Sequence, residues 1–362
     1  MLRAGLIGFP SAGKTALFQL LTSVRDAPSR GGKSDANVGV SRVPDERLDR
    51  LTALFKPRKH VPATVEFADI AGLGGARTGA QALLDVVPFR NADALLHVVR
   101  MFRDPSIPHP AGSVDPARDV RAMEDEVILA DLGVAERRLE RLERDLKKGG
   151  SADLRKEQEI LVRCREALEA GRPLRALDLT PEDSKRLRGF QFLSAKPLLI
   201  VLNLDENDLD RVSGAVELAG IQEFLEGAAT RAVPICAKIE LEIAQLEEGD
   251  RTAFLADLGL QESGLDRVIR ASYDLLGYIS FFTVGEDECR AWSIPRNTPA
   301  VLAAGEIHSD ISRGFIRAEV VRYEHLLARG SLAACREHGE LRLEGKDYLV
   351  LDGDVINFRH AT

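Results

Sequence analysis

The sequence predicts an α/β protein: a parallel sheet covered by helices on both faces, interrupted by an inserted helical hairpin and followed by a small β-rich module. Three observations point there. Short, mainly apolar runs at 2–7, 64–68, 94–99, 198–202 and 232–236 suit strands buried on both faces, which lose the polar alternation of a half-exposed sheet. From Asp115 onward, leucines and alanines recur at helical spacing among Glu and Arg. After about Tyr278 the chain changes to short β-like runs separated by Gly-containing turns.

The 362 residues suit two or three domains, each large enough to bury a core. Lys and Arg number 49 against 57 Asp and Glu, and a net charge of −8 argues against a non-specific DNA coat. No sequence-specific DNA partner is expected. The longest apolar run, 197–202, is far short of the ~20 residues of a membrane helix, so no membrane partner is expected either. The N-terminus reads as a first strand rather than a signal peptide. Cys164, Cys236, Cys289 and Cys335 lack metal-binding spacing and are expected as thiols of a cytoplasmic protein.

The elements follow in order. Residues 1–115 and 190–278 form the expected nucleotide-binding domain, in two pieces. Asp115-Pro116 opens the insertion, a capping oxygen followed by a ring whose missing N–H costs nothing in a first turn. Leu132, Ala135, Leu139, Leu142 and Leu146 make one seam; Gly149-Gly150 breaks it, and Leu154, Leu161, Cys164 and Leu168 resume it. That is an antiparallel coiled-coil arm over 116–189. Thr180-Pro181-Glu182-Asp183 starts one more short helix inside it. Runs at 289–294, 314–323, 340–343, 348–351 and 355–359 build the third module, 279–362.

Gly8-Phe9-Pro10-Ser11-Ala12-Gly13-Lys14-Thr15 matches G-x-x-x-x-G-K-[ST] between an apolar run and a helical one that begins at Ala16. In such a phosphate-binding loop, backbone N–H groups turn inward on phosphate oxygens and the following helix aims its positive end at them. Lys14 is the expected catalytic cation on the β- and γ-phosphates, and the Thr15 hydroxyl is an expected Mg²⁺ ligand. Asp69-Ile-Ala-Gly72 supplies the second acid of such sites. Asp69 at a strand tip would hold Mg²⁺, and the Gly72 N–H would sense a γ-phosphate. Phe9 through Ala16 and Gly72 are thus the expected phosphate-side contacts.

Base contacts are expected from two later loops. A guanine-reading loop has Asn-Lys-x-Asp after its strand; here Asn203-Leu204-Asp205-Glu206 stands in that place. Leu204 replaces the lysine, and Glu206 carries the acid one methylene further out, which weakens strict guanine selection. Ala237 and Lys238, after the next strand, would present an N–H and an aliphatic stem to the base.

The loop, Asp69-Ile-Ala-Gly72-Leu73, the Asn203–Glu206 variant, the hairpin and the β-rich tail together resemble the YchF family of Obg-related P-loop NTPases. The tail stretches Arg290-Ala-Trp-Ser-Ile294, Gly314-Phe-Ile-Arg-Ala-Glu319 and Asp352-Gly-Asp-Val-Ile356 are similar to that family's TGS domain, a ubiquitin-like β-grasp. The resemblance implies ATP hydrolysis in preference to GTP, a Mg²⁺ requirement, ribosome binding through rRNA or ribosomal proteins, and a cytoplasmic location. A monomer is the expectation. Two other readings stay open: a nucleotide-sensing ribosome-binding module with little turnover, and a GTPase of the Obg class.

One departure bears on activity. Lys33 stands where the family carries a switch threonine, and a lysine cannot ligate Mg²⁺ through a hydroxyl. Leu73 occupies the place of the water-orienting Gln of Ras-like sites, as the family does. The resemblance therefore points to His109, in the loop after His97-Val-Val-Arg100, as the catalytic water-orienting residue; a solvent-facing loop histidine is the alternative. His97 itself reads as a packed core residue. Arg137, Arg138, Arg141, Arg144, Lys147 and Lys148 on the arm, with Arg313, Arg317, Arg322 and Arg329 in the tail, are candidate ribosomal contacts.

Overall fold

The structure, a computed structural model, describes residues 3–22, 36–70, 87–227 and 229–361. Its first seven strands are β1 (Arg3–Ile7), β2 (Ala36–Arg42), β3 (Lys59–Val61), β4 (Thr64–Ile70), β5 (Ala94–Arg100), β6 (Leu198–Asn203) and β7 (Thr230–Ile235). Five more follow: β8 (Tyr278–Thr283), β9 (Glu288–Pro295), β10 (Phe315–Arg322), β11 (Arg342–Glu344) and β12 (Asp354–His360). The four helices used below are α1 (Lys14–Thr22), α2 (Glu46–Phe55), α3 (Pro116–Lys147) and α4 (Ala152–Glu169). Two six-stranded sheets result, ordered β2-β4-β1-β5-β6-β7 and β11-β10-β12-β8-β9-β3.

The chain divides into two compact units, one from 2–40 with 66–275 and the other from 41–65 with 276–362. In the first unit β1 pairs in parallel with β4 and β5, β5 with β6, and β6 with β7. Every residue of β5 and β6 is buried, as their mainly apolar sequences require. The C-terminal ends of these five strands then lie on one edge, where α/β sheets place their ligands.

Helix α3 has two jobs. Its cap forms as expected, with the Asp115 side chain accepting from the Arg118 N–H and Pro116 in the first turn. Val120, Met123, Val127 and Ala130 in its first half join the core with β5 and β6. Further along, Ala135, Leu139 and Leu142 meet Leu161, Cys164 and Leu168 of α4. The first four turns of α3 pack in the α/β core, and its second half forms the hairpin seam. Thr180 and Asp183 complete the anticipated capping box.

The second unit corrects a boundary. Residues 41–65, expected within the nucleotide-binding domain, fold with the C-terminal residues. β3 pairs in parallel with β9 at the edge of the C-terminal sheet. Arg47 of α2 bridges Asp45 and Asp352 while its guanidinium lies 5.2 Å from the Phe282 ring centre. Those carboxylates hold Arg47 above the usual arginine range despite its burial. The expected run at 348–351 contributes one bridge, Pro299 to Leu349, rather than a strand. In exchange β8, which carries Phe281 and Phe282 into the core, was not anticipated.

Candidate nucleotide site

The loop between β1 and α1 takes the form its glycines permit. Gly8 and Gly13 adopt φ of +146° and +100°, a region that penalises any Cβ. Space forbids one as well: at Gly8 it would lie 2.5 Å from the Val98 carbonyl oxygen, and at Gly13 2.4 Å from Asn203 Nδ2. Ser11 accepts φ of +61° at the loop's crown. The first-turn N–H groups of α1, which helix geometry leaves without intrahelical acceptors, are the donors available to an anion.

Lys14 Nζ donates to the Gly8 and Phe9 carbonyls, both at 2.8 Å. Burial lowers its pKa, and Asp69 at the end of β4 opposes that shift. Burial in turn raises the Asp69 pKa against the pull of Lys14. The two groups thus sense each other electrostatically. The Thr15 hydroxyl and Asp69 carboxylate are hard oxygen donors of the kind Mg²⁺ takes, with water and phosphate completing its shell. No cluster of three or more His, Cys, Asp or Glu that could hold a metal occurs among the described residues. The Thr15 and Asp69 oxygens fit a Mg²⁺ shared with a phosphate ligand. Gly72, Leu73 and Lys33 lie outside the described residues.

The base side is a cleft of about 440 Å³. It is lined by Gly13, Ala16, Asn203, Leu204, Glu206, Ala237 and Lys238, and also by the loop from Phe102 to Pro105. The expected residues converge, but several do different work. Asn203 is 4% exposed. Its Nδ2 donates to the Ala12 carbonyl at 3.0 Å and its Oδ1 accepts the Ala237 N–H at 3.1 Å. It is a strut between the phosphate loop and the next strand's loop, and the Ala237 N–H expected to face a base is already engaged. Leu204 is 2% exposed and sits in the core, closing the cleft's floor. Glu206 forms an ion pair with Lys238, which raises the lysine's pKa.

Phe102 is a cleft residue that the sequence reading passed over. Arg100, 2% exposed, donates to the carbonyls of Phe102 and Ile107 at 3.1 and 2.9 Å. Its guanidinium carbon lies 4.5 Å from the Phe102 ring centre. A buried cation thus pins the loop that forms one wall of the cleft. The available signal was an aromatic two residues beyond a buried strand's terminal arginine.

His109 is neither solvent-facing nor free. Its Nδ1 accepts the Ala111 N–H at 3.1 Å, and Nε2 lies 2.9 Å from Asp119 Oδ2, with both side chains about 5% exposed or less. An Nδ1 that accepts an N–H carries no proton, so the neutral ring donates from Nε2 to Asp119. His97 is the packed residue expected. Burial, with Lys14 nearby, pushes its pKa down to about 3, and its Nε2 has no hydrogen-bond partner among the described residues.

A glycine loop between a central parallel strand and a helix, a lysine on that loop, an acid at the neighbouring strand's tip and a base-sized cleft beside it define a P-loop nucleotide-binding protein of the GTPase-like class. Comparisons with known proteins agree and go further. Residues 3–141 match a family model described as 50S ribosome-binding GTPase, and residues 278–361 match the YchF-GTPase C-terminal model, described as a protein of unknown function. The chain is 44% identical to a protein of Bacillus subtilis named ribosome-binding ATPase YchF, covering 99% of each. It is 39% identical to the protein of that name in Escherichia coli O157:H7, over 98% of each. The solved structure of the Schizosaccharomyces pombe YchF GTPase matches with a TM-score of 0.86 at 30% identity, over 99% of this chain and 97% of that one. The chain belongs to the YchF family.

Proposed function

We propose that this chain is a Mg²⁺-dependent nucleoside triphosphate hydrolase that prefers ATP to GTP and works in association with the ribosome in the cytoplasm. Phosphate binding supports the first part. The loop's N–H groups and Lys14 hold the β- and γ-phosphates, while Thr15 and Asp69 would hold a Mg²⁺, which would supply positive charge to the phosphates. Water attacks the γ-phosphorus, the bond to the bridging oxygen breaks, and the nucleoside diphosphate leaves. The residues position the phosphates and stabilise charge; they contribute no covalent step. The Gly72 N–H, by its place in the Asp69-Ile-Ala-Gly72 motif, would sense the γ-phosphate. His109 orients the water once its Nε2 is released from Asp119.

One observation carries the preference for ATP. Guanine selection needs a free carboxylate facing the base edge, and here Glu206 is neutralised by Lys238 while both polar atoms of Asn203 are used by the protein. With the Glu206 carboxylate paired and the Asn203 amide engaged, the cleft offers stacking on Phe102 and backbone groups, which do not favour guanine. The ribosome enters through the printed names of the relatives in Bacillus subtilis and Escherichia coli. A GTPase reading has the name of the Schizosaccharomyces pombe relative in its favour.

Phosphate release with Mg²⁺ and either ATP or GTP, with and without ribosomes, tests the proposal. It predicts a higher kcat/KM for ATP and co-sedimentation with ribosomes. Higher efficiency with GTP would overturn the base assignment, and turnover no faster than the Lys14→Ala variant would favour a sensor without hydrolysis.

A further inference from the structure

The turn around His109 holds the ring by both nitrogens, and the two bonds differ in kind. Pro110 has no N–H, so the first backbone donor after His109 is that of Ala111. It is given to His109 Nδ1 at 3.1 Å. Gly112, at φ of +81°, bends the chain back, and its own N–H donates to the His109 carbonyl at 2.9 Å. With Nδ1 accepting, the proton of the neutral ring stays on Nε2 and points at Asp119 Oδ2, 2.9 Å away. One nitrogen is thus committed to the backbone of its own turn, the other to a side chain of α3.

Asp119 is itself held. It is 3% exposed, and its second oxygen accepts from Arg118 Nε and Nη2 at 3.0 and 2.8 Å. Arg118 also donates to the Ser113 hydroxyl and carbonyl, at 3.1 and 2.7 Å. The turn is therefore tied to the start of α3 twice, His109 through Asp119 and Ser113 through Arg118. The preceding part of the segment is tied elsewhere, by the buried Arg100 on the Phe102 and Ile107 carbonyls. Freeing the ring breaks one charge-assisted bond, to Asp119, while the Ala111 bond and the cleft wall stay in place.

We propose that His109 serves hydrolysis as a hydrogen-bond donor and not as a proton acceptor, and that Asp119 is the positioning residue that keeps this donor at rest. The inference rests on the hydrolase reading with His109 at the attacking water, and it assigns the ring its chemical role and its resting partner. A general base needs a bare nitrogen facing the water, and the bare one here, Nδ1, is turned to the Ala111 N–H. The released ring presents Nε2–H. It donates to one lone pair of the water oxygen while the other attacks the γ-phosphorus. The bond from phosphorus to the β–γ bridging oxygen breaks, the water's proton passes to a γ-phosphoryl oxygen, and the diphosphate leaves. The ring ends the step with the proton it began with.

Two measurements on the full chain test this. Side-chain nitrogen NMR of the nucleotide-free protein at neutral pH, with the His109 signal assigned by its loss in His109→Gln, should show a bare Nδ1 and a protonated Nε2. A proton on Nδ1 would overturn the proposal. Single-turnover phosphate release from Mg-ATP supplies the second. His109→Ala should be ~10²-fold slower than wild type. His109→Gln, whose amide N–H reaches the place of Nε2, should recover at least about tenfold of that loss, and His109→Glu, which only accepts, should recover none. Rescue by Glu equal to that by Gln, or no rescue by Gln, would refute the donor. Asp119→Asn trades a charge-assisted bond for a neutral one and should speed turnover about three- to tenfold with His109 present. In the His109→Ala background it should change the rate by less than about twofold. Asp119→Ser should act in the same direction, and the Mg-ADP thermal shift of each variant reports its fold. Slower turnover in both Asp119 variants, or an equal change in both backgrounds, would refute the resting bond. Wild-type turnover no faster than Lys14→Ala would instead fail the hydrolase reading, which the Gln and Glu comparison leaves standing when only the donor is wrong.

Discussion

Removing the side chain of Asn203 should weaken phosphate binding, although the residue sits on the base side of the cleft. Asn203→Ala deletes two buried hydrogen bonds, to the Ala12 carbonyl and from the Ala237 N–H. Ala12 is 2% exposed and Ala237 5%, so water cannot easily take over either group. A buried polar group left unpaired costs ~1–3 kcal/mol, which for two groups gives ~2–4 kcal/mol after partial relaxation. Part of this appears as lost stability and part as a loop that must be reordered on binding. We expect a lower thermal midpoint and at least about tenfold weaker binding, at 1.4 kcal/mol per decade. Calorimetric titration with Mg-ADP and with Mg-tripolyphosphate separates strut from base reader, since tripolyphosphate has no base. Both should weaken. Unchanged tripolyphosphate affinity would refute the strut, and Asn203→Asp, which sets an oxygen against the Ala12 carbonyl, should be no better than alanine.

Four further outcomes are expected. Lys14→Ala removes the loop's ammonium and should slow hydrolysis by ~10²-fold or more, measured as single-turnover phosphate release; near-wild-type turnover would contradict its role. His109→Ala should lower kcat while leaving Mg-ADP affinity within twofold, because its ring contacts Asp119 and not the phosphate loop; an equal loss in both would make it structural. His97 has a folded-state pKa depressed to about 3 from 6.5. Its contribution is therefore complete above pH 6.5 and lost as pH falls from 6.5 toward 3, about 2 kcal/mol by pH 5 at 1.36 kcal/mol per unit. Urea titrations of His97→Leu at pH 7 and 5 should show that much less acid loss than wild type, and equal losses would sink the assignment. Arg47→Ala strips Asp45 and Asp352 of their shared cation and should cost ~1–3 kcal/mol in thermal unfolding, against no measurable shift if the bridge is idle.

The parts of the site legible in the sequence were those where chemistry permits few residues. Gly8 and Gly13 must be glycine because a Cβ would meet Val98 or Asn203, so the motif itself announced the loop. The apolar runs of β5 and β6 announced a sheet buried on both faces. Membership of 41–65 was not legible, because Lys59-His60-Val61 carries no pattern that says which sheet edge it joins. Nor was the employment of Asn203, whose side chain serves a reader or a strut equally well until its neighbours are placed. The engagement of His109 was hidden for the same reason: its partner Asp119 sits in the first turns of α3, ten residues on, where sequence shows a helix start and no destination for its carboxylate.

Competition between Mg-ADP and Mg-GDP for one fluorescent diphosphate, on the purified full chain, tests the account most directly. It predicts displacement by both, with ADP effective at the lower concentration. Displacement by neither would contradict a nucleotide cradle at Gly8–Thr15, and a lower effective concentration for GDP would contradict a Glu206 held by Lys238.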